Sequence, residues 1–373
     1  MTPVSSSKRD PRVDVLRGLA LLMIFVDHVP NNVLSLVTLG KFGFSDAAEV
    51  FVLLAGFSSM LGYGKVFERD GPQTGLKRIW LRLARLYLFQ VGLLIFTLIV
   101  GFTWTRHFNL QPIIFGPIFN QPVSGIARAL TLGAVPAYLD ILPLYICLFA
   151  AFPLVYFGLK ASPAATLAVS GSIWLAANLY SDLNLPNWMS GAGWFFDPFA
   201  WQFLFTIGAA LAIVSARFSG NLPRIRWVVW VCALYLIFSL FEGATWLDWN
   251  LPDLRPIRID PPDKTHLHVL RLLEMLALIY LALSSEAFRR FVRHSVFKPF
   301  EACGRHSLEV FAAGCVFALF GRLLFRTYGE GVGIQVAVNV AGLAAMFLLA
   351  QYLEHRRVQH LPSPKTPGAT ATG

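Results

Sequence analysis

Arg17 and His28 stand at opposite ends of one apolar run, Asp14-Val-Leu-Arg17-Gly18-Leu-Ala-Leu-Leu-Met-Ile-Phe-Val-Asp27-His28. In a helix this spacing returns both side chains to within roughly 20° of one face, about 16 Å apart along the axis. A guanidinium can fork phosphate or carboxylate oxygens, and an imidazole can take a proton from a hydroxyl. The pair therefore supplies an anion-binding group and a base on a single wall. Ionisable groups inside apolar spans are costly and usually face the protein interior in the service of a site. The plainer alternative is an arginine snorkelling at a helix end and a histidine capping the other.

A second acidic group belongs to this reading. Ser45-Asp46-Ala-Ala-Glu49-Val-Phe51 puts Asp46 and Glu49 on one face at the start of the next apolar run. There they are expected at the level of His28, where a carboxylate would fix the imidazole tautomer and stabilise the imidazolium. Asp27 adjoins His28 but points about 100° away around the helix, which makes it the weaker partner.

The elements that must position these groups follow from composition. The chain has 373 residues, is 56% hydrophobic and only 14% charged, and contains 32 Phe and 10 Trp. Apolar runs of about twenty residues recur along its length, which excludes a soluble enzyme and defines an all-α, polytopic integral membrane protein. The net charge of +10 does not indicate nucleic acid, because no basic stripe with interleaved aromatics occurs.

Ten spans are expected at 14–34, 47–64, 79–102, 140–158, 164–180, 198–216, 227–247, 268–284, 303–325 and 332–353. Most of the 31 Lys and Arg fall on one side of this arrangement, leaving Lys41, Arg106, Arg128, Arg255, Arg258, Lys264, Arg271, Arg322 and Arg326 on the other. By the positive-inside rule both termini are cytoplasmic. Residues 1–357 form one transmembrane domain, and 358–373 are expected to be a disordered cytoplasmic tail. Met1 to Pro11 lacks a secretory apolar region and cleavage site, so the first span should be retained.

Two kinds of loop result. The outer ones, 103–139, 181–197 and 248–267, carry Trp104, Trp188, Trp194, Trp246 and Trp249 among Pro, Asn and Asp. Flat apolar platforms beside polar groups suit sugar rings, although tryptophan at a membrane surface also serves as an interfacial belt. On the inner side Lys77, Arg78, Arg82 and Arg85 repeat at helical spacing. They suit a multiply phosphorylated ligand or, more simply, anionic lipid. Cys147, Cys232, Cys303 and Cys315 form no CxxC pair and imply neither disulfide framework nor zinc site. Nucleotide-binding loops, Ser-centred nucleophile elbows and internal repeats are not evident.

The same residues carry a resemblance. Arg17 to His28 is similar to the Arg, ten residues, His pattern of acyltransferase-3-type membrane enzymes. The runs Arg12-Val-Asp14-Val-Leu-Arg17-Gly18, Phe25-Val-Asp27-His28-Val-Pro30, Phe42-Gly-Phe44-Ser-Asp46-Ala-Ala-Glu49, Asp140-Ile-Leu-Pro143-Leu-Tyr145, Asp197-Pro-Phe-Ala-Trp201-Gln202 and Cys303-Gly-Arg305-His306-Ser307 resemble the OpgC family over most of the chain.

That resemblance implies ten helices in the inner membrane of a Gram-negative bacterium and succinyl transfer to osmoregulated periplasmic glucans. Succinyl-CoA would be the donor substrate, with no permanently bound cofactor and no metal. Coenzyme A phosphates would rest near Arg17, Arg82 and Arg85, with Arg305 beside them. His28, with Glu49, Asp46 and Asp27 around it, would deprotonate a glucose hydroxyl or itself carry the acyl group. Asp140, Trp194, Asp197 and Trp201 are the expected acceptor-binding residues. The expected partners are acyl-CoA, periplasmic glucan and membrane lipid. The other readings are an acetyltransferase of another envelope polysaccharide and a proton-coupled transporter using His28 and Glu49 as a relay.

Overall fold

The computed structural model describes residues 10–111 and 115–359. It is a helical assembly whose only strands among the described residues, β1 (Pro186–Asn187) and β2 (Ala192–Gly193), pair antiparallel. The helices are α1 (Pro11–Asp27), α2 (Ala47–His107), α3 (Gly116–Asn120), α4 (Pro122–Leu130), α5 (Ile141–Ala161), α6 (Pro163–Leu179), α7 (Pro198–Arg217), α8 (Arg226–Gly243), α9 (Val269–Ser284), α10 (Glu286–Phe291), α11 (Lys298–Arg305), α12 (Ser307–Tyr328) and α13 (Val332–Gln359).

Each of the ten apolar stretches falls on helix, and six described helices, α2, α5, α7, α8, α12 and α13, are long and apolar enough to cross a membrane. α8 shows what the outer surface faces. Trp227, Trp230, Val231, Leu234 and Ile237 are all exposed, an arrangement that costs little only if hydrocarbon covers them.

Three boundaries differ from expectation. The first helix stops at Asp27 rather than 34, because Pro30 disfavours helical backbone at the residue before it and Asn31 takes a left-handed φ of 54°. The 65–78 loop is helical: α2 runs on to Gly71 (φ 84°, ψ 168°), where the chain turns and Gly75 packs on the Phe67 ring. Its 61 residues as one straight rod would span about 90 Å, three bilayer cores. Finally, residues 358 and 359 complete α13, and the rest of the expected tail lies outside the described residues.

α1 is central, packed against α2, α11 and α12. The contact with α11 is close because two glycines face each other's backbones. A Cβ on Gly18 would strike the Phe300 carbonyl, and one on Gly304 the Asp14 carbonyl. Small residues of this kind let helices in a membrane approach until their backbones touch. The consequence for function is direct, because the neighbours of those glycines are Arg17 and Arg305.

Candidate active site

Arg17, Arg82, Arg85 and Arg305, the four arginines expected to hold a donor, line one cavity of about 1190 Å³. Lys65, Arg289 and Arg293 join them, against the carboxylates of Asp10, Asp14 and Glu309. Each arginine is held differently. Arg17 Nη2 donates to the Leu54 carbonyl at 2.8 Å and to Ser58 Oγ at 2.5 Å. The Arg82 guanidinium lies 5.6 Å from the Phe149 ring centroid, and Arg85 pairs with Glu309. Arg305 pairs with Glu301, with Glu354 at 2.7 Å and with Asp14 at 3.6 Å. The excess of cations over carboxylates makes the cavity electropositive and suited to phosphate oxygens.

Phe51, Leu142, Tyr145 and Phe311 also line the cavity. Phe51 stacks on Tyr145 at 5.1 Å and on Phe311 at 6.4 Å, and Tyr145 donates its hydroxyl proton to the Phe51 carbonyl at 2.8 Å.

His28 is the C-cap of α1, its N–H donating to the carbonyls of Ile24 and Phe25 at 3.0 and 3.2 Å. Its ring meets the edge of Tyr138 at 5.1 Å, and its carbonyl accepts from Arg322 Nη1 at 3.0 Å. Tyr138 and Arg322 are in turn walls of a second pocket, of about 270 Å³, lined also by Pro30, Asn31, Phe115 and Phe119. Tyr138 holds an unusual φ of 69°, a conformation that persists only where surrounding packing over-determines it and that is commonest at functional sites.

The expected contact between His28 and a carboxylate is not the one formed among the described residues. Glu49 accepts from Arg271 Nε at 2.7 Å, lies in ion-pair contact with its Nη2 at 2.6 Å, and is completely buried. Asp46 accepts from Lys264 Nζ at 2.5 Å and from Arg271 Nη2 at 3.3 Å. The two carboxylates also close a capping box, Asp46 accepting from the Ala48 N–H and Glu49 from the Asp46 N–H. This is the D-x-x-E signature of a helix start, and it explains why those residue types stand three apart. Burial pushes the Asp46 pKa up, but Lys264 and Arg271 outweigh it and hold the carboxyl well below the usual range. Burial lowers that of Lys264, and Asp46 and Glu49 more than restore it. Asp27 is exposed and accepts from Thr38 Oγ1 at 2.7 Å.

The four expected acceptor residues divide. Asp140 is half-buried just before α5 and makes no capping bond with its side chain. Trp201 is fully buried, its indole N–H donating to the carbonyls of Lys264 and Thr265 at 3.2 and 3.1 Å. Asp197, also fully buried, caps α7 by accepting from the Phe199 N–H at 2.9 Å. Trp194 is 4% exposed. As placed here, Trp194, Asp197 and Trp201 have no surface to offer a sugar. Trp201, through its indole N–H, and Asp197, whose backbone N–H donates to the Thr265 carbonyl at 3.2 Å, instead anchor the 248–267 loop, which delivers Lys264 to Asp46.

Four residues escaped sequence reasoning: Tyr138, Lys264, Arg271 and Arg322. Arg271 and Arg322 had a usable signal, since both fall inside expected spans, where a charge marks a site or a buried partner. Reading them as loop charges concealed it. Tyr138 and Lys264 lie in loops and carried no comparable sign.

Fold and site together define a polytopic helical membrane protein with a basic chamber at one end of α1 and, at the other, a histidine in contact with Tyr138 and Arg322. Residues 9–358 match the family described as OpgC protein, and the chain belongs to that family. No curated protein matches it. Membership supports a membrane-bound transferase with a role in glucan substitution.

Proposed function

We propose that this protein is an inner-membrane O-acyltransferase that moves a succinyl group from succinyl-CoA onto a glucose hydroxyl of a periplasmic glucan, through ten membrane-crossing helices with both termini cytoplasmic. The observation carrying the reading is that Arg17, Arg82, Arg85 and Arg305 line a single chamber at one end of α1, while His28 occupies the other end. A donor made inside and an acceptor outside need such a path across the bilayer.

In this reading the coenzyme A phosphates bind the basic chamber, where guanidinium forks add directional bonds to charge. The pantetheine arm extends along α1 past Phe51 and Tyr145, bringing the thioester to His28. A neutral His28 takes the proton from the sugar hydroxyl as its oxygen attacks the thioester carbon. The C–S bond then breaks, and the coenzyme A sulfur leaves and takes up a proton. Alternatively, an imidazole nitrogen attacks first and the sugar oxygen cleaves the resulting acyl-imidazole. Tyr138 and Arg322 fix the histidine in place through its ring edge and carbonyl.

The test is transfer by purified protein reconstituted in bilayers, with succinyl-CoA and an unsubstituted glucan. Covalently succinylated glucan and free coenzyme A are expected in equal amounts. Absence of both, with folded protein, would overturn the reading. Labelling of single cysteines in intact cells should modify the 103–139 and 248–267 segments and spare the segment around Gly71.

A further inference from the structure

One cation beside His28 has no use in the chemistry above except to hold a carbonyl. Arg322 is 8% exposed, lies on α12 and forms part of the wall of the 270 Å³ pocket with Tyr138, Phe115, Phe119 and Leu319, and with Arg326, which donates to the Gln111 carbonyl at 2.8 Å, and Glu330, which accepts from Asn31 Nδ2 at 2.8 Å. Nη1 donates to the His28 carbonyl at 3.0 Å, the guanidinium carbon sits 4.1 Å from the Tyr138 ring centroid, and Nε is buried without an acceptor. No carboxylate pairs with it among the described residues, and these include every Asp and Glu of the chain. The other buried arginines are treated differently: Arg12 meets Asp10 at 2.6 Å, and Arg271 meets Glu49 at 2.6 Å.

A guanidinium taken out of water needs a counter-charge, and an aromatic face with one carbonyl offsets only part of the cost. An unpaired cation fixed in a largely apolar pocket is therefore a receptor for an anion, and a guanidinium fork with a free N–H matches a carboxylate. We propose that Arg322 reads the distal carboxylate of the acyl group, so that the enzyme selects half-thioesters of short dicarboxylic acids over neutral acyl groups. This rests on the acyl-transfer reading and deepens it. Because Arg322 bonds the carbonyl of His28 itself, the carboxylate anchor and the base are set relative to one another by a single contact. Two methylenes separate the thioester carbon of a succinyl group from its carboxylate, so anchoring one places the other near the imidazole. α12 suits this role, since it starts at the basic chamber with Ser307 and Glu309 and reaches the second pocket with Leu319 and Arg322.

An anionic substituent on the acceptor would present the same chemistry to Arg322, and the experiment separates the two sources. Reconstituted wild type, Arg322→Lys and Arg322→Gln are given succinyl-CoA or butyryl-CoA, the latter with a methyl in place of the carboxylate, and either neutral or anion-bearing glucan. On neutral glucan the ratio of kcat/KM for succinyl over butyryl should fall about ten- to a hundredfold in Arg322→Gln and less in Arg322→Lys. Equal loss for both donors would make Arg322 a prop for His28 and overturn the proposal. A dependence on Arg322 seen only with anion-bearing glucan would assign the anion to the acceptor and overturn it too. Transfer from neither donor by wild type would remove the acyl-transfer reading and this inference with it, whereas transfer from both with an unchanged ratio in the variants would remove this inference alone. Thermal unfolding of each variant is measured alongside, and if the glutamine variant does not fold, the lysine variant carries the comparison.

Discussion

Arg271 closes on Glu49 through both Nε and Nη2, at 2.7 and 2.6 Å, and buries the carboxylate completely. This pairing ties the start of α2 to α9, and with the half-buried Lys264 and Asp46 it forms a cluster of two carboxylates and two cations. Removing one charge of such a cluster leaves another uncompensated. Glu49→Gln is expected to destabilise the protein by about 3–5 kcal/mol, and the double variant Glu49→Gln/Arg271→Met should recover part of that loss. Thermal unfolding in detergent checks both, and an unchanged melting temperature for the single variant would show that the pair contributes little.

Arg17 has a donor-binding role to test. Arg17→Ala should weaken binding of succinyl-CoA by roughly 1.5–3 kcal/mol, and Arg17→Lys by less, since lysine keeps the charge and loses the fork. Calorimetric titration with coenzyme A gives the answer. Unchanged affinity in Arg17→Ala would make the residue structural.

His28→Ala should lower transfer by about 10²- to 10⁴-fold, the range a positioned base supplies. Folding and coenzyme A binding should hold, because the helix cap uses the backbone N–H of His28 and not its ring. Near wild-type succinate content in glucans, at normal protein level, would remove His28 from the mechanism.

Gly304→Ala should separate α1 from α11, because the new methyl meets the Asp14 backbone carbonyl. A loss of about 1–3 kcal/mol is expected from overpacking, together with weaker coenzyme A binding as Arg17 and Arg305 move apart. Gly92→Ala, with nothing within 4 Å of the added carbon, is the control and should be neutral or slightly stabilising in its helix.

Asp197 gives the molecule a pH-dependent term. Burial raises its pKa from the usual 3.8 to about 6, against the lowering effect of the Phe199 N–H. Between those values the unfolded chain ionises first, so the native state binds more protons and stability falls as pH rises. Below about 3.8 the contribution is fully present, and above about 6 it is gone. Asp197→Asn keeps a good helix cap and should flatten this part of the profile. An identical slope in the variant between pH 4 and 6 would exclude Asp197 as its source.

The sequence by itself determined the helical class, the apolar stretches and the placing of Arg17 and His28 towards opposite ends of one helix, because burial in hydrocarbon requires long apolar runs and makes each charge within them conspicuous. Arg17, Arg82, Arg85 and Arg305 became a set only through the family resemblance, and they line one chamber. What only the tertiary structure decided is partnership. Asp46 and Glu49 have the residue types of a catalytic base's companions, yet Lys264 and Arg271, more than 200 positions away in the chain, claim them. Trp201 and Asp197 look like sugar-binding groups until packing encloses them. Tyr138 looks like nothing in particular, and Arg322 is only a charge inside an expected span, until the fold sets one on the other beside His28. A side chain's chemistry is local and can be read along the chain, but a buried charge takes the nearest counter-charge in space, and the packing of distant helices decides which one that is.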